Sequence, residues 1–275
     1  MSDFEAVLLA DAGAVEPDGE DRYAVTLGER FTAFGHPTGG YLQCVMASGA
    51  LAAASAQGAT HLHATAVSTN FISAPSPGPA TVSTRVRRVG RSASFVHVTL
   101  AQEGVVTTES LVTLGSLSES SRPRYQGSLA PDIAALDECT RLTAHDDVNV
   151  HDVLEFRGDP SGTQWWNAQR GTGEVVLWMR LVDGGNPWDP WSTLFASDAM
   201  PPATVALGSS GWVPTLQLTS YVRRVPVSEW LRARQWCVVV ADGLVDERCE
   251  LFDDSGELVA SSSQLALVRF AKEES

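Results

Sequence analysis

The chain has 275 residues, 44% of them hydrophobic, and a formal charge of −14. The hydrophobic share supplies a core and argues against wholesale disorder, and the length fits one large domain or two ordinary ones. The acidic balance excludes a protein that grips nucleic acid or an anionic membrane through a broad basic surface, but leaves room for a small anion held by a local arginine patch.

The N-terminal MSDFEAVLLADAG is acidic where a signal peptide carries positive charge, and the C-terminal KEES is no lipidation signal. Cys44, Cys139, Cys237 and Cys249 are scattered, without a CxxC pair. These features predict a cytoplasmic protein with no disulfide framework, no zinc site and no cofactor. From Gly39 to Gly58 the chain is uncharged and about long enough to cross a bilayer, which takes ~20 apolar residues. Its Ala, Ser and Gly content, its internal Gln43 and Gln57 and the absence of a basic flank instead predict a helix buried on all sides. The preceding GHPTGG matches neither glycine-rich phosphate loop. Gly39 and Gly40 there allow close backbone approach and leave amide donors free, so the loop is expected to rim a substrate cleft and offer N–H groups to an oxyanion.

Residues 70–114 and 220–268 then repeat one pattern. Each gives a strand ending at Pro, a strand carrying Arg-x-Arg, a Gly turn, a strand, a second Gly turn and a final strand. The spacing between copies runs from 147 (Arg85 to Arg232) to 153 (Gly90 to Gly243). Between the copies GSLSESSRPRYQGSLAPDI has linker composition. HDVLEF and GEVVLWMRLV read as further strands. In DPWSTLFASDAMPP, Asp189 is an N-cap, Pro190 the first helical residue and Pro201–Pro202 the stop. Each half is thus a helix with an antiparallel sheet, and so apolar a helix needs a sheet that curls around it. The expected fold is α+β, a double hotdog: an N-terminal hotdog over 1–118, a linker over 119–147 and a C-terminal hotdog over 148–275.

Asp198 is singled out by its pattern. With Trp191, Leu194 and Phe195 it shares one helix face, so a carboxylate lies on an apolar stripe, in a last turn whose dipole disfavours negative charge. Burial there raises a carboxyl pKa and makes a better base. Gln264 shares a strand face with Ala260, Ser262 and Ala266, where its amide can both donate to and accept from a water. Strand alternation puts Thr215 on a polar stripe with Gln217 and Thr219. The arginines around Arg85–Arg91 and Arg223–Arg234 offer bidentate contacts to phosphate or pair with surface carboxylates. The tryptophans, all between Trp165 and Trp236, are expected mainly in the core, with some lining an acyl pocket. HDDVNVHD lacks a spacing that gathers metal ligands, and no GxSxG elbow is present.

In this order, Gly35-x-x-x-Gly39-Gly40-Tyr41-Leu42, Asn70-Phe71-Ile72-x-x-Pro75, Gly90-Arg91-Ser92, Arg223-Arg224, Glu229-Trp230-Leu231 and Gly256-x-Leu258-Val259-Ala260-Ser261-x-x-Gln264 resemble the double-hotdog acyl-CoA thioesterases, the TesB-like or thioesterase II family. The resemblance spans nearly the whole chain. It implies hydrolysis of acyl-CoA by a directly activated water, with Asp198, Thr215 (or Thr219) and Gln264 as the catalytic set. It also implies Gly39, Gly40, Tyr41, Arg91 and Arg223 as substrate contacts, acyl-CoA as the partner, and a homo-oligomer as the remaining assembly. Alternatives are a non-catalytic acyl-CoA-binding protein and a double-hotdog enoyl-CoA hydratase. The hydratase pattern wants His five positions after the Asp, where this chain has Ala203.

Overall fold

The computed structural model describes residues 15–118, 122–143, 146–163, 171–182, 188–209 and 211–270. The first half holds β1 (Glu16–Pro17), β2 (Arg22–Leu27), the short pair β3 (Thr32–Ala33) and β4 (His36–Pro37), and helix α1 (Gly39–Ala56). It continues with β5 (His63–Phe71), β6 (Gly78–Val89), β7 (Ser94–Gln102) and β8 (Val105–Gly115). After β9 (Thr140–Arg141) the second half holds β10 (Leu154–Gly158), β11 (Glu174–Leu181), helix α2 (Pro190–Ala196), β12 (Thr215–Val222), β13 (Leu231–Ala241), β14 (Leu244–Phe252) and β15 (Leu258–Leu267).

Among the described residues all of these strands except the separate β3–β4 pair form one antiparallel sheet of 13, in the order β1-β2-β6-β7-β8-β5-β12-β15-β14-β13-β11-β10-β9. Read outward from the β5–β12 seam, β8, β7, β6 and β2 on one side mirror β15, β14, β13 and β11 on the other. The sequence repeat is therefore a structural one, and each copy carries a bulge at the matching place, Val86/Arg88 and Cys237/Val239. This is a double hotdog. The seam joins the halves edge to edge through Gln217↔Asn70 to Tyr221↔Ala66, so neither copy leaves that strand edge open.

Helix α1 is buried all round from Gly40 to Ala47, as its uncharged composition predicts, and exposes Ala52, Ser55 and Ala56 toward its C-terminus. It lies against β5–β8 and also against α2, and among the described residues no helix is long and apolar enough to cross a membrane. The carboxylate of Asp189 caps α2 by accepting from the Ser192 amide at 2.6 Å, with Pro190 at the first position. That helix is shorter than its sequence suggests. It ends at Ala196, and Asp198 lies just beyond it. Linker residues lie on the second half: the Gln126 amide brackets β15, donating to Gly256 O and accepting from Leu258 N, both at 2.8 Å.

Candidate active site

Gly39 and Gly40 open α1, and the end of α2 rests directly on them. A Cβ at Gly39 would lie 2.8 Å from Asp198 Oδ2, and one at Gly40 would lie 2.5 Å from the Phe195 carbonyl oxygen. Only glycine lets the two helices approach this closely. The contact delivers Asp198 to the N-terminus of α1, where the Gly40 amide donates to Oδ2 at 2.7 Å and the Gly39 amide also bonds the carboxylate. This corrects two expectations. The dipole that matters to Asp198 is that of α1, whose N-terminus favours its charge. The Gly40 N–H, expected for a substrate oxyanion, is already taken by Asp198.

Burial nevertheless dominates. Loss of water, followed by the nearby negative charge of Glu247, pushes Asp198 up to about 7, against the lowering effect of the glycine amides. A carboxylate poised there is half ionised near neutrality and matched to taking a proton from water.

Thr215 reaches the same place by a bulge. It pairs with Ala266, yet Gln217 pairs with Leu265, so one extra residue on β12 reverses the alternation between them. Thr215 therefore faces inward with buried Ala266. Gln217 and Thr219 face outward, where the Gln217 amide donates to Thr219 Oγ1 at 2.8 Å and Thr219 bonds Ser68 at 2.9 Å. The alternative hydroxyl, Thr219, is thus on the other face of the sheet. Inward on β15, Gln264 accepts from the Thr215 hydroxyl at 2.9 Å.

Asp198, Thr215 and Gln264 line one cavity of about 580 Å³, together with Gly39. Most of its wall is apolar and includes Leu42, Phe71, Val150, Met200, Val205 and Leu216. His36 stacks on Trp212 at 4.6 Å at the cavity edge, where Ile72 and Trp212 are exposed.

Other expected contacts lie elsewhere. Tyr41 does not line the cavity: it is fully buried, stacks on Phe31 at 4.8 Å, and its hydroxyl accepts from Gly28 N at 3.0 Å. Arg91 sits in the β6–β7 turn beyond the Val89↔Ser94 pair, and Arg223 just past Val222. Both are exposed at the strand ends opposite Thr215, away from the cavity. Nor are the tryptophans mostly core. Trp230 carries Arg157 and Arg180 over its ring, Trp178 carries Arg232 and Trp236 carries Arg234, while Trp188 is buried and Trp212 lines the cavity. Trp165, Trp166 and His145 lie outside the described residues. Among the described residues no group of His, Cys, Asp and Glu could hold a metal.

Glu247, not singled out from sequence, is 1% exposed and sits behind Gln264, whose Nε2 donates to its Oε2 at 2.7 Å. A signal was available: Val245, Glu247, Cys249 and Leu251 form the buried face of β14, so an acid stands in an apolar row. Burial pushes the thiols near it upward, Cys237 to about 12 and Cys249 likewise up, which leaves both protonated and unsuited to nucleophilic attack.

Residues 27–115 match the acyl-CoA thioesterase N-terminal domain, and residues 136–268 match the acyl-CoA thioesterase C-terminal domain. The chain belongs to the acyl-CoA thioesterase family. An uncharacterized protein of Mycobacterium tuberculosis H37Rv is 30% identical over 262 residues, covering 88% of this chain and 89% of that protein. A crystal structure from Thermobifida fusca YX, of a protein provisionally named a thioesterase II, superposes with a TM-score of 0.84 at 34% identity and covers 98% of each chain. A hotdog-fold protein of unknown function from Alicyclobacillus acidocaldarius shares the fold at TM-score 0.81 and 20% identity, covering 96% of this chain and 98% of that one. Thioester hydrolysis is the chemistry that this family membership supports.

Proposed function

We infer that the protein hydrolyses acyl-CoA thioesters to a free acid and CoA by direct attack of water. The observation that carries this reading is the convergence of Asp198 from the turn after α2, Thr215 from β12 and Gln264 from β15 on one largely apolar cavity. The wall accepts an aliphatic acyl chain, and the polar end accepts the thioester carbonyl and a water.

Oδ1 of Asp198 is the oxygen not used by Gly40, and it takes a proton from the water as the new C–O bond forms. Thr215 gives its hydroxyl hydrogen to Gln264, so its oxygen lone pairs are left to accept from that water. The tetrahedral intermediate collapses with loss of the C–S bond. The leaving thiolate is a good one, since a free thiol titrates near ~8.5, and Asp198 returns the proton to it. No acyl–enzyme intermediate is required.

Incubation with acyl-CoAs of graded chain length and a thiol-reactive dye tests the reading. Thiol release by the wild type and its loss in Asp198→Ala are expected. No release from any acyl-CoA, or full activity in Asp198→Ala, would contradict it.

A further inference from the structure

We propose that Glu247 is the positioning residue of this site, fixing the carboxamide of Gln264 with its oxygen turned to Thr215. The inference rests on the hydrolytic reading above and adds a residue to it.

An ionised carboxylate only accepts hydrogen bonds, and Glu247 is ringed by donors. Its Oε2 accepts from Gln264 Nε2 at 2.7 Å and from Gln235 Nε2 at 3.0 Å. Its Oε1 accepts from the Thr204 amide at 3.2 Å and from the Cys237 thiol at 3.7 Å. Burial pushes the Glu247 carboxyl above its usual range, and these donors, which fill the lone pairs of both oxygens, oppose that shift by favouring the ionised form.

The consequence for Gln264 follows from donor and acceptor polarity. Facing an acceptor, its amide must present Nε2, so Oε1 is the atom left for Thr215, and Thr215 must donate. One N–H of Gln264 and the lone pairs of Thr215 are then the groups turned to the cavity. Without Glu247 the amide is free to rotate by half a turn, Nε2 would face Thr215, and the threonine hydrogen would point to the cavity in place of its lone pairs. A water held there would lose the acceptor that aligns it with Asp198.

The charge of Glu247 also faces Asp198 and tends to keep it protonated. The other titratable groups around the pair are Cys237, Cys249 and Asp246 from β13 and β14, with His36 and His151 on the cavity wall.

Glu247→Gln tests the proposal, with Glu247→Asp as the variant that keeps the charge on a shorter arm. Steady-state kinetics across pH on acyl-CoA should show kcat lowered about tenfold or more in Glu247→Gln with KM within about twofold. The acid limb should move to lower pH, and Glu247→Asp should retain more activity than Glu247→Gln. A packing role alone would not move the acid limb. Unchanged kcat and acid limb in a folded Glu247→Gln, beside an active wild type, would overturn the positioning role alone. If Glu247→Gln does not fold, Glu247→Asp decides: a wild-type kcat in it overturns the positioning role, and a reduced kcat supports it. A wild type that releases no thiol would overturn the hydrolytic reading and this role with it.

Discussion

Gly40, from the first half of the chain, donates its amide to the carboxylate of Asp198 in the second half at 2.7 Å, across 158 positions of sequence. The Asp198 carboxylate is therefore held by both hotdogs at once. The turn after α2 supplies the side chain, and the other repeat supplies the helix N-terminus that tolerates its charge.

A methyl group at Gly40 cannot be accommodated, since it would lie 2.5 Å from a backbone carbonyl. Gly40→Ala is expected to cost about 1–3 kcal/mol through overpacking and to lower activity by moving Asp198. Chemical denaturation with wild-type midpoint and slope would contradict this.

The pH profile of kcat/KM should rise through a midpoint near about 7, where Asp198 loses its proton. A rate that is flat from pH 5 to 8, a range chosen to bracket about 7, would remove Asp198 as the base.

Stability should show the opposite trend. Burial raises Asp198 in the folded chain, so between the ordinary carboxyl range and about 7 the native state holds a proton that the unfolded state has released. Stability falls as pH rises through that window. Asp198→Asn removes the cost of ionisation, and should melt at higher temperature than the wild type at about pH 8, with the advantage fading toward about pH 4. Its activity should fall by about 10²-fold or more.

Thr215→Val should lower kcat by about 10²-fold through loss of the polarised hydroxyl, while Thr219→Val on the outer face should leave it within about twofold. Equal losses in both would mean that the bulge does not separate their roles.

The architecture was legible because it repeats. Glycine turns and Arg-x-Arg strands recur at a nearly constant spacing, and the paired copies became mirror-related halves of one sheet. The α2 cap was also local, Asp189 and Pro190 being adjacent. Strand β2 (RYAVTL) alternates cleanly between exposed and buried residues, but it precedes the repeated segment and so has no copy that marks it. What sequence could not show depended on distant partners or on a broken period. Strict alternation grouped Thr215 with Gln217 and Thr219, and one bulge reversed it. Asp198 read as opposed by a helix dipole because the helix that favours it is 158 residues away. Tyr41 follows the glycine pair in sequence but points into the core, toward Gly28. Of the arginines read as phosphate ligands or carboxylate partners, Arg232 and Arg234 lie over Trp178 and Trp236, and Arg224 and Arg234 pair with Glu257 and Glu174.

The central claim is that water attacks the thioester directly with Asp198 as base. Single-turnover hydrolysis of an acyl-CoA in ¹⁸O water, with the acid-quenched protein and the product both weighed by mass spectrometry, tests it most directly. Direct attack by water predicts ¹⁸O in the free acid, no acyl adduct on the protein at any quench time, and hydrolysis slowed by about 10²-fold or more in Asp198→Asn. An acyl adduct that forms and decays with the reaction, or undiminished turnover in Asp198→Asn, would contradict it.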